Sequence, residues 1–185
     1  IPKVRQLYDD FEFHAIFHGL NNFCSVDLSA VYLDILKDRL YTFRKDAPER
    51  RSSQTVLYDI LVALMKLMAP VLSFTAEEIW RTLSAQMPGL SAAKSVHLAA
   101  FPDVDPVWID AQLAARWETL LTHRSRVQGA LEASRREKTI GSSLEAHVRI
   151  EAGTDDFRFL TSYEQDLSTV FIVSKVTLVQ SAGSG

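Results

Sequence analysis

Apolar residues recur every third or fourth position from the start of the chain to about residue 131, and this spacing constrains the fold more than any other feature. Leu7, Phe11, Ala15 and His18 lie on one such stripe, with Phe13, Ile16, Phe17 and Leu20 beside it. They predict a well-buried helix from near Pro2 toward Phe23. Leu28, Val31 and Ile35, flanked by Tyr32, Leu36 and Leu40, predict a second helix, with Asp27 or Ser29 as its cap. Asp46-Ala47-Pro48 reads as a turn. A third stripe, Val56, Ile60, Leu64, Leu67 and Met68, runs to Pro70, which cannot continue a helix. Thr75 and Glu78 have capping-box spacing and predict a fourth helix toward Leu83, with Ile79 and Trp80 facing inward.

Met87 to Lys94 reads as a loop, and Ser95 to Phe101 as a short extended segment. Asp105-Pro106 then supplies a cap and a first helical position. The stripe Leu113, Trp117, Leu120, Arg124, Val127 and Leu131 predicts one long helix packed across the others, so Trp80 and Trp117 both read as packing residues. Beyond it the period changes. Leu144 to Glu151 alternates as a strand does, Thr154 to Ser162 suits a short helix, and Val170 to Val179 is rich in Val, Ile and Thr. The expected fold is mainly α, a helical bundle over residues 1–140 followed by a small mixed α/β appendage over 141–185.

Only 7 glycines and 6 prolines occur in 185 residues, which favours long helices over a loop-rich sandwich. Hydrophobic residues make up 47% and charged residues 23%, enough to build a core and too apolar for wholesale disorder. The best apolar run, Ile60 to Leu72, is interrupted by Lys66 and Pro70 and falls short of the roughly 20 residues a bilayer requires. No cleavable signal pattern opens the chain, and a cytoplasmic location is expected. The single cysteine, Cys24, excludes an intrachain disulfide and reads as a small hydrophobe. The chain begins at Ile1 and ends Ser-Ala-Gly-Ser-Gly, and both ends are expected to be cuts from a longer protein.

The net charge of −3 does not suggest a polyanion partner, but its distribution does. Residues 37–51 hold six cations, Lys37, Arg39, Arg44, Lys45, Arg50 and Arg51, against the three acids Asp38, Asp46 and Glu49. Residues 116–138 hold Arg116, Arg124, Arg126, Arg135, Arg136 and Lys138 against Glu118, Glu132 and Glu137. Basic segments on an acidic body steer a polyanion to one face. Catalytic constellations are missing. His14 and His18 have the spacing of metal-binding helices, but no carboxylate lies between them, so packing is the better reading. No Gly-rich phosphate loop, Cys-x-x-Cys pair or Gly-x-Ser-x-Gly elbow occurs, and no catalytic or metal-binding residue is expected.

Several stretches, in order, carry a family resemblance. They are Phe13-His14; Asn22-Phe23-Cys24-Ser25 leading into Asp27-Leu28-Ser29; Tyr32 through Tyr41; and Arg50 through Tyr58. After them come Met68 through Trp80, Ser95-Val96-His97-Leu98 with Phe101-Pro102, Leu131-Glu132-Ala133 and Ile140 through Ala146. Together these resemble the helices just after the catalytic core of isoleucyl-tRNA synthetases of the bacterial or organellar form. The Lys37-Asp38-Arg39-Leu40-Tyr41 run and Arg50-Arg51 with Gln54-Thr55 favour that enzyme over its valyl and leucyl cousins.

The resemblance implies a helical bundle of the class I synthetase anticodon-binding type. It implies isoleucine tRNA as partner through the anticodon stem-loop, together with the catalytic and C-terminal domains of a parent enzyme, and a monomeric state. The parent would use ATP, magnesium and zinc. The His-Ile-Gly-His and Lys-Met-Ser-Lys-Ser types of motif do not occur in this chain, and one cysteine cannot build the family's zinc site. The chain alone is therefore expected to use no cofactor and to catalyse nothing. Within such a module Lys37, Arg39, Arg44, Lys45, Arg50 and Arg51 are the expected phosphate contacts. Tyr41, Phe43 and Gln54 are the expected base contacts, and Arg135, Arg136 and Lys138 would touch the stem. The alternatives are a protein-docking module and a brace between domains that reads no base.

Overall fold

The computed structural model describes residues 1–90 and 93–181, and places them in two compact units, Ile1–Trp108 and Ile109–Gly185. The chain is mainly α, as its apolar stripes require. The expected boundary near residue 140 put the long helix with the bundle, whereas in the structure that helix clusters with the residues C-terminal to it.

The first unit opens with α1 (Pro2–Asp9), which Pro2 starts at a position where a missing N–H costs nothing. The single helix expected from Pro2 toward Phe23 is broken at residues 10–12, where Phe11 takes φ 58°. Helix α2 (Phe13–Asn22) then continues without interruption into a π-helical stretch, Phe23–Leu33, and α3 (Asp34–Tyr41). Asp27 and Ser29 consequently lie inside helical backbone and cap nothing; Asn22 and Phe23, where a break was expected, keep right-handed dihedrals. Nor is the first segment well buried. Ile16 is its one fully buried side chain among the described residues, while Phe11, Phe13 and Phe17 are exposed.

Helix α4 (Pro48–Met68) begins on Pro48 and stops just before Ala69-Pro70, as proline geometry dictates. Helix α5 (Ser73–Ser84) starts two residues earlier than its capping signal, so Thr75 sits within the first turn and the box does not form. The core of this unit is Met65, Ala69, Ala76, Trp80 and Val96. The buried Trp80 indole donates to the Ala93 carbonyl at 3.0 Å, which satisfies the one polar atom the ring brings inside. Glu77, not Glu78, carries the polar work of α5. Its Oε2 accepts from Ser95 Oγ at 2.8 Å and from the Val96 N–H at 3.1 Å, while Oε1 accepts from Arg81. These bonds hold a 3₁₀ turn, Val96–Leu98, where an extended segment was expected. The expected loop from Met87 to Lys94 contains a 3₁₀ turn, Pro88–Leu90; residues 91 and 92 and the terminal residues 182–185 lie outside the described residues. Tyr8 stacks on Phe101 and its hydroxyl donates to the Leu67 carbonyl at 2.6 Å; burial pushes its pKa up.

In the second unit, α6 (Ala111–Arg136) starts later than Asp105-Pro106 suggested. Pro106 opens only one 3₁₀ turn, and Asp110 caps the helix by accepting from the Leu113 N–H at 2.9 Å. Leu120, Val127 and Leu131 are buried as the stripe predicts, but Trp117 is 38% exposed and is not a core residue. Arg124 is only 4% exposed, and its Nε donates to the Val170 carbonyl, tying α6 to α8 (Leu167–Phe171). Strand β1 (His147–Ala152) alternates exposed residues with the half-buried Val148 and Ile150 and ends on the buried Ala152. It pairs in parallel with β2 (Lys175–Gln180) from His147↔Lys175 to Ala152↔Gln180, the crossover running through α7 (Thr154–Thr161) and α8. Leu144 falls in a 3₁₀ turn rather than the strand, and Val170 and Phe171 are helical. Ile172, at φ 57°, turns the chain out of α8 into β2, with the Val173 N–H bonded back to the Ser168 carbonyl.

Two outcomes are expected for the first unit. Trp80→Ala should cost about 3–5 kcal/mol of stability, read by denaturant unfolding. The second concerns Glu77, whose carboxyl is held below its ordinary pKa, foremost by Ser95 and with help from Arg81 and the Val96 N–H. A lowered pKa in the folded state gives stability that is complete above the ordinary carboxylate pKa and lost as pH falls through the lowered one. Thermal melts from neutral to acid pH should therefore show Glu77→Gln melting below the parent at neutral pH, with the gap closing in acid. A gap that stays constant would mean the carboxylate charge is irrelevant to that turn.

Candidate nucleic-acid interface

The turn between α3 and α4 gathers most of the residues expected to meet RNA. Helix α3 ends at Tyr41, and the Thr42 hydroxyl and amide both return to the Asp38 carbonyl. Ala47 then donates to the Arg44 carbonyl, and Pro48 starts the next helix. Residues 41–51 are thereby confined to one end of the helix pair. Lys37 and Tyr41, four apart, share a face of α3; Arg51 and Gln54, three apart, share a face of α4.

The side chains of this turn differ in how committed they are. Tyr41 is 83% exposed, a ring held at the end of a helix with nothing stacked on it among the described residues. Phe43 is less open, at 38%, and Gln54 is exposed. Lys45 and Arg51 are exposed and form no ion pair or side-chain hydrogen bond among the described residues. Lys37 pairs with Asp34. Arg44 makes a two-pronged contact with Asp46, Nε to Oδ1 at 3.1 Å and Nη2 to Oδ2 at 2.6 Å. The Arg44 guanidinium holds the Asp46 carboxyl below the usual range, so the pair stays charged through mild acid. Such exposed pairs are worth little and can be exchanged for a phosphate. Arg39 is half-buried beside Tyr32; burial pushes that phenol's pKa up and the Arg39 charge opposes it. Arg50 turns inward, its Nη1 donating to the Phe43 carbonyl at 2.7 Å.

The second basic cluster divides in the same way. Arg135, Arg136 and Lys138 stand at the C-terminal end of α6, in the other compact unit. Arg135 pairs with Glu132 and reaches Ser143 Oγ, Arg136 bonds the Glu132 carbonyl, and Lys138 is exposed at φ 58°. Arg124 is buried, and Arg116 lies 5.0 Å over the Tyr163 ring. Sequence reasoning missed Asp46 as the partner that occupies Arg44. The available signal was an acid two residues away in a proline-terminated turn.

Among the described residues no three His, Cys, Asp or Glu side chains converge to hold a metal. His14 pairs with Glu12 at 3.3 Å, and Cys24 is half-buried. No helix of the described residues is long and apolar enough to cross a membrane. The first unit also carries an apolar groove of about 660 Å³, lined chiefly by α1, α2 and α4, including Leu7, Leu20, Ile60 and Leu67, with Trp108 on its wall.

The chain is 51% identical over 96% of its length to isoleucine–tRNA ligase of Geobacter sulfurreducens. It is 46% identical over 97% to that of Moorella thermoacetica, and 47% identical over its whole length to that of Symbiobacterium thermophilum. It spans about a fifth of the length of these relatives, 19% of the first two and 20% of the third. The model of the anticodon-binding domain of tRNA ligases matches residues 1–150, four-fifths of the chain and all of the α3–α4 turn, and the chain belongs to that family.

Proposed function

We propose that this chain is the part of an isoleucine–tRNA ligase that binds and positions the anticodon stem-loop of isoleucine tRNA. The observation that carries the reading is an exposed aromatic ring, Tyr41, at the end of α3, followed by Lys45 on the turn and Arg51 in the first turns of α4, two cations left unpaired among the described residues. An anticodon loop offers unstacked bases and crowded phosphates, and such a turn meets both. Tyr41 supplies a stacking plane, Phe43 a second apolar ring, and Gln54 an amide for base edges. Lys45 and Arg51, joined by Lys37 and Arg44 once their surface pairs exchange, hold phosphates. Arg39 adds its charge to the same end of α3. Arg135, Arg136 and Lys138 form a second basic group suited to the stem. In this reading ATP, magnesium and zinc serve parts of the parent outside this chain. The chain itself ligates nothing, acts as a monomer, and works in the cytoplasm.

A second reading is favoured by the apolar groove against α1, α2 and α4. In it the unit braces other domains of the parent, and base reading lies elsewhere.

Titration of the purified chain with isoleucine tRNA and a non-cognate tRNA at two salt concentrations separates the two. With about four phosphate contacts and a single-strand slope near −0.7 per contact, a fourfold rise in salt should weaken binding around fiftyfold. Tyr41→Ala should weaken binding of isoleucine tRNA by roughly tenfold, as loss of one base stack of about 1–3 kcal/mol requires. Equal binding of both tRNAs, unchanged by Tyr41→Ala, would favour bracing. Asp46→Asn should tighten RNA binding several-fold at low salt and steepen the salt dependence by about 0.7, because Arg44 is released to a phosphate.

A further inference from the structure

The helix that carries Arg50 gives it no reason to be there. Arg50 lies in the first turn of α4, where the dipole of a 21-residue helix opposes a cation. It is half-buried, and its Nε is shut away from solvent without a hydrogen-bond partner among the described residues. Its guanidinium donates from Nη1 to the backbone carbonyl of Phe43, seven residues back, across the turn. A guanidinium placed for phosphate would be left exposed and uncommitted, as Arg51 is among the described residues. Arg50 instead spans the open side of the turn, and the bond it makes closes a ring of chain around residues 44–49.

We infer that Arg50 is a positioning residue: it acts through the Phe43 carbonyl to fix the 42–47 turn, so that Lys45 is presented to an RNA phosphate while Arg50 itself touches none. This rests on the RNA-binding reading above and assigns a division of labour within that site. The turn has little else to hold it. Thr42 bonds back to the Asp38 carbonyl, Ala47 donates to the Arg44 carbonyl and accepts from the Arg51 N–H, and Arg44 pairs with Asp46; among the described residues none of these joins the start of the turn to α4. Ala47, the cap of α4, offers no side-chain acceptor. Arg50 is therefore the side chain that ties the start of the turn to the following helix. A flexible turn would leave Lys45 attached to the surface but unordered, and ordering it would then cost entropy on every binding event.

The test is a double-mutant cycle on the full chain, read by RNA titration across salt, together with amide hydrogen exchange. Lys45→Ala should weaken binding about fivefold at roughly 0.1 M salt and lower the slope by about 0.7, the share of one single-strand phosphate contact. Arg50→Ala should produce a loss of similar size, and the double variant should bind no worse than either single one. Arg51→Ala, an independent contact, should add its loss to both. If the Arg50→Ala and Lys45→Ala losses multiply to about twenty-five-fold, with a slope change of about 1.4, Arg50 is itself a phosphate contact and the inference fails. Exchange decides the structural half separately. In Arg50→Ala the Ala47 amide should exchange at least tenfold faster while amides in the middle of α5 are unchanged; an unchanged Ala47 amide overturns the proposal. Should the parent chain bind no RNA, the RNA-binding reading falls, and with it the role assigned to Lys45, whereas exchange still settles whether Arg50 fixes the turn. Arg50→Met, which keeps most of the stem, replaces the alanine if that variant melts.

Discussion

Burying an indole obliges its N–H to find an acceptor, and the first unit is arranged around that obligation. Trp80 is 2% exposed among Met65, Ala69, Ala76 and Val96, and the Ala93 carbonyl takes its hydrogen bond. For that carbonyl to be in place, the chain after α5 must lie back across the helix pair. Glu77, one turn before Trp80, secures the return by accepting from Ser95 and Val96. Apolar burial and two sets of polar bonds therefore specify the same path, and each would be unfavourable without the other. The packing of α4 on α5 results, and α4 in turn sets where the α3–α4 turn stands.

At that turn local chemistry takes over from packing. Residues 37–51 hold six cations in sequence, but they are not six equivalent contacts. Among the described residues two are unpaired, two are held by neighbouring acids, one sits beside a half-buried tyrosine and one faces the backbone. The same sorting takes Arg124 out of the second cluster, where it closes the end of α8 as a buried donor. A basic run thus overstates the charge it offers to a ligand. What it offers depends on which carboxylates and carbonyls lie within reach once the helices have packed.

Sequence and structure agree unevenly, and the unevenness has physical causes. Prolines were reliable: Pro2 and Pro48 start helices and Pro70 comes just after the end of one, because a ring that lacks an N–H acts whatever surrounds it. Capping residues were not. Thr75 and Glu78, Asp27, and Ser29 have side chains that can cap, but each lies where the backbone is already helical, and a side chain cannot cap amides that carbonyls already satisfy. Asp110 caps where Asp105 was expected to, because Pro106 proved to open one tight turn and not the long helix.

By itself the sequence determined the class of the fold, the helices with strong 3.6-residue periodicity, and the family, because periodic burial and ordered motifs are properties of neighbours along the chain. It also marked the α3–α4 turn as basic and aromatic. The tertiary structure alone decided that Trp80 is core while Trp117 is half open, and that Glu77 rather than Glu78 does the anchoring. It alone separated Arg50 from Arg51, adjacent residues of one type, the first half-buried and bonded to the Phe43 carbonyl and the second exposed. Each of these depends on which residues distant in sequence come within a few ångströms, and periodicity carries no information about that.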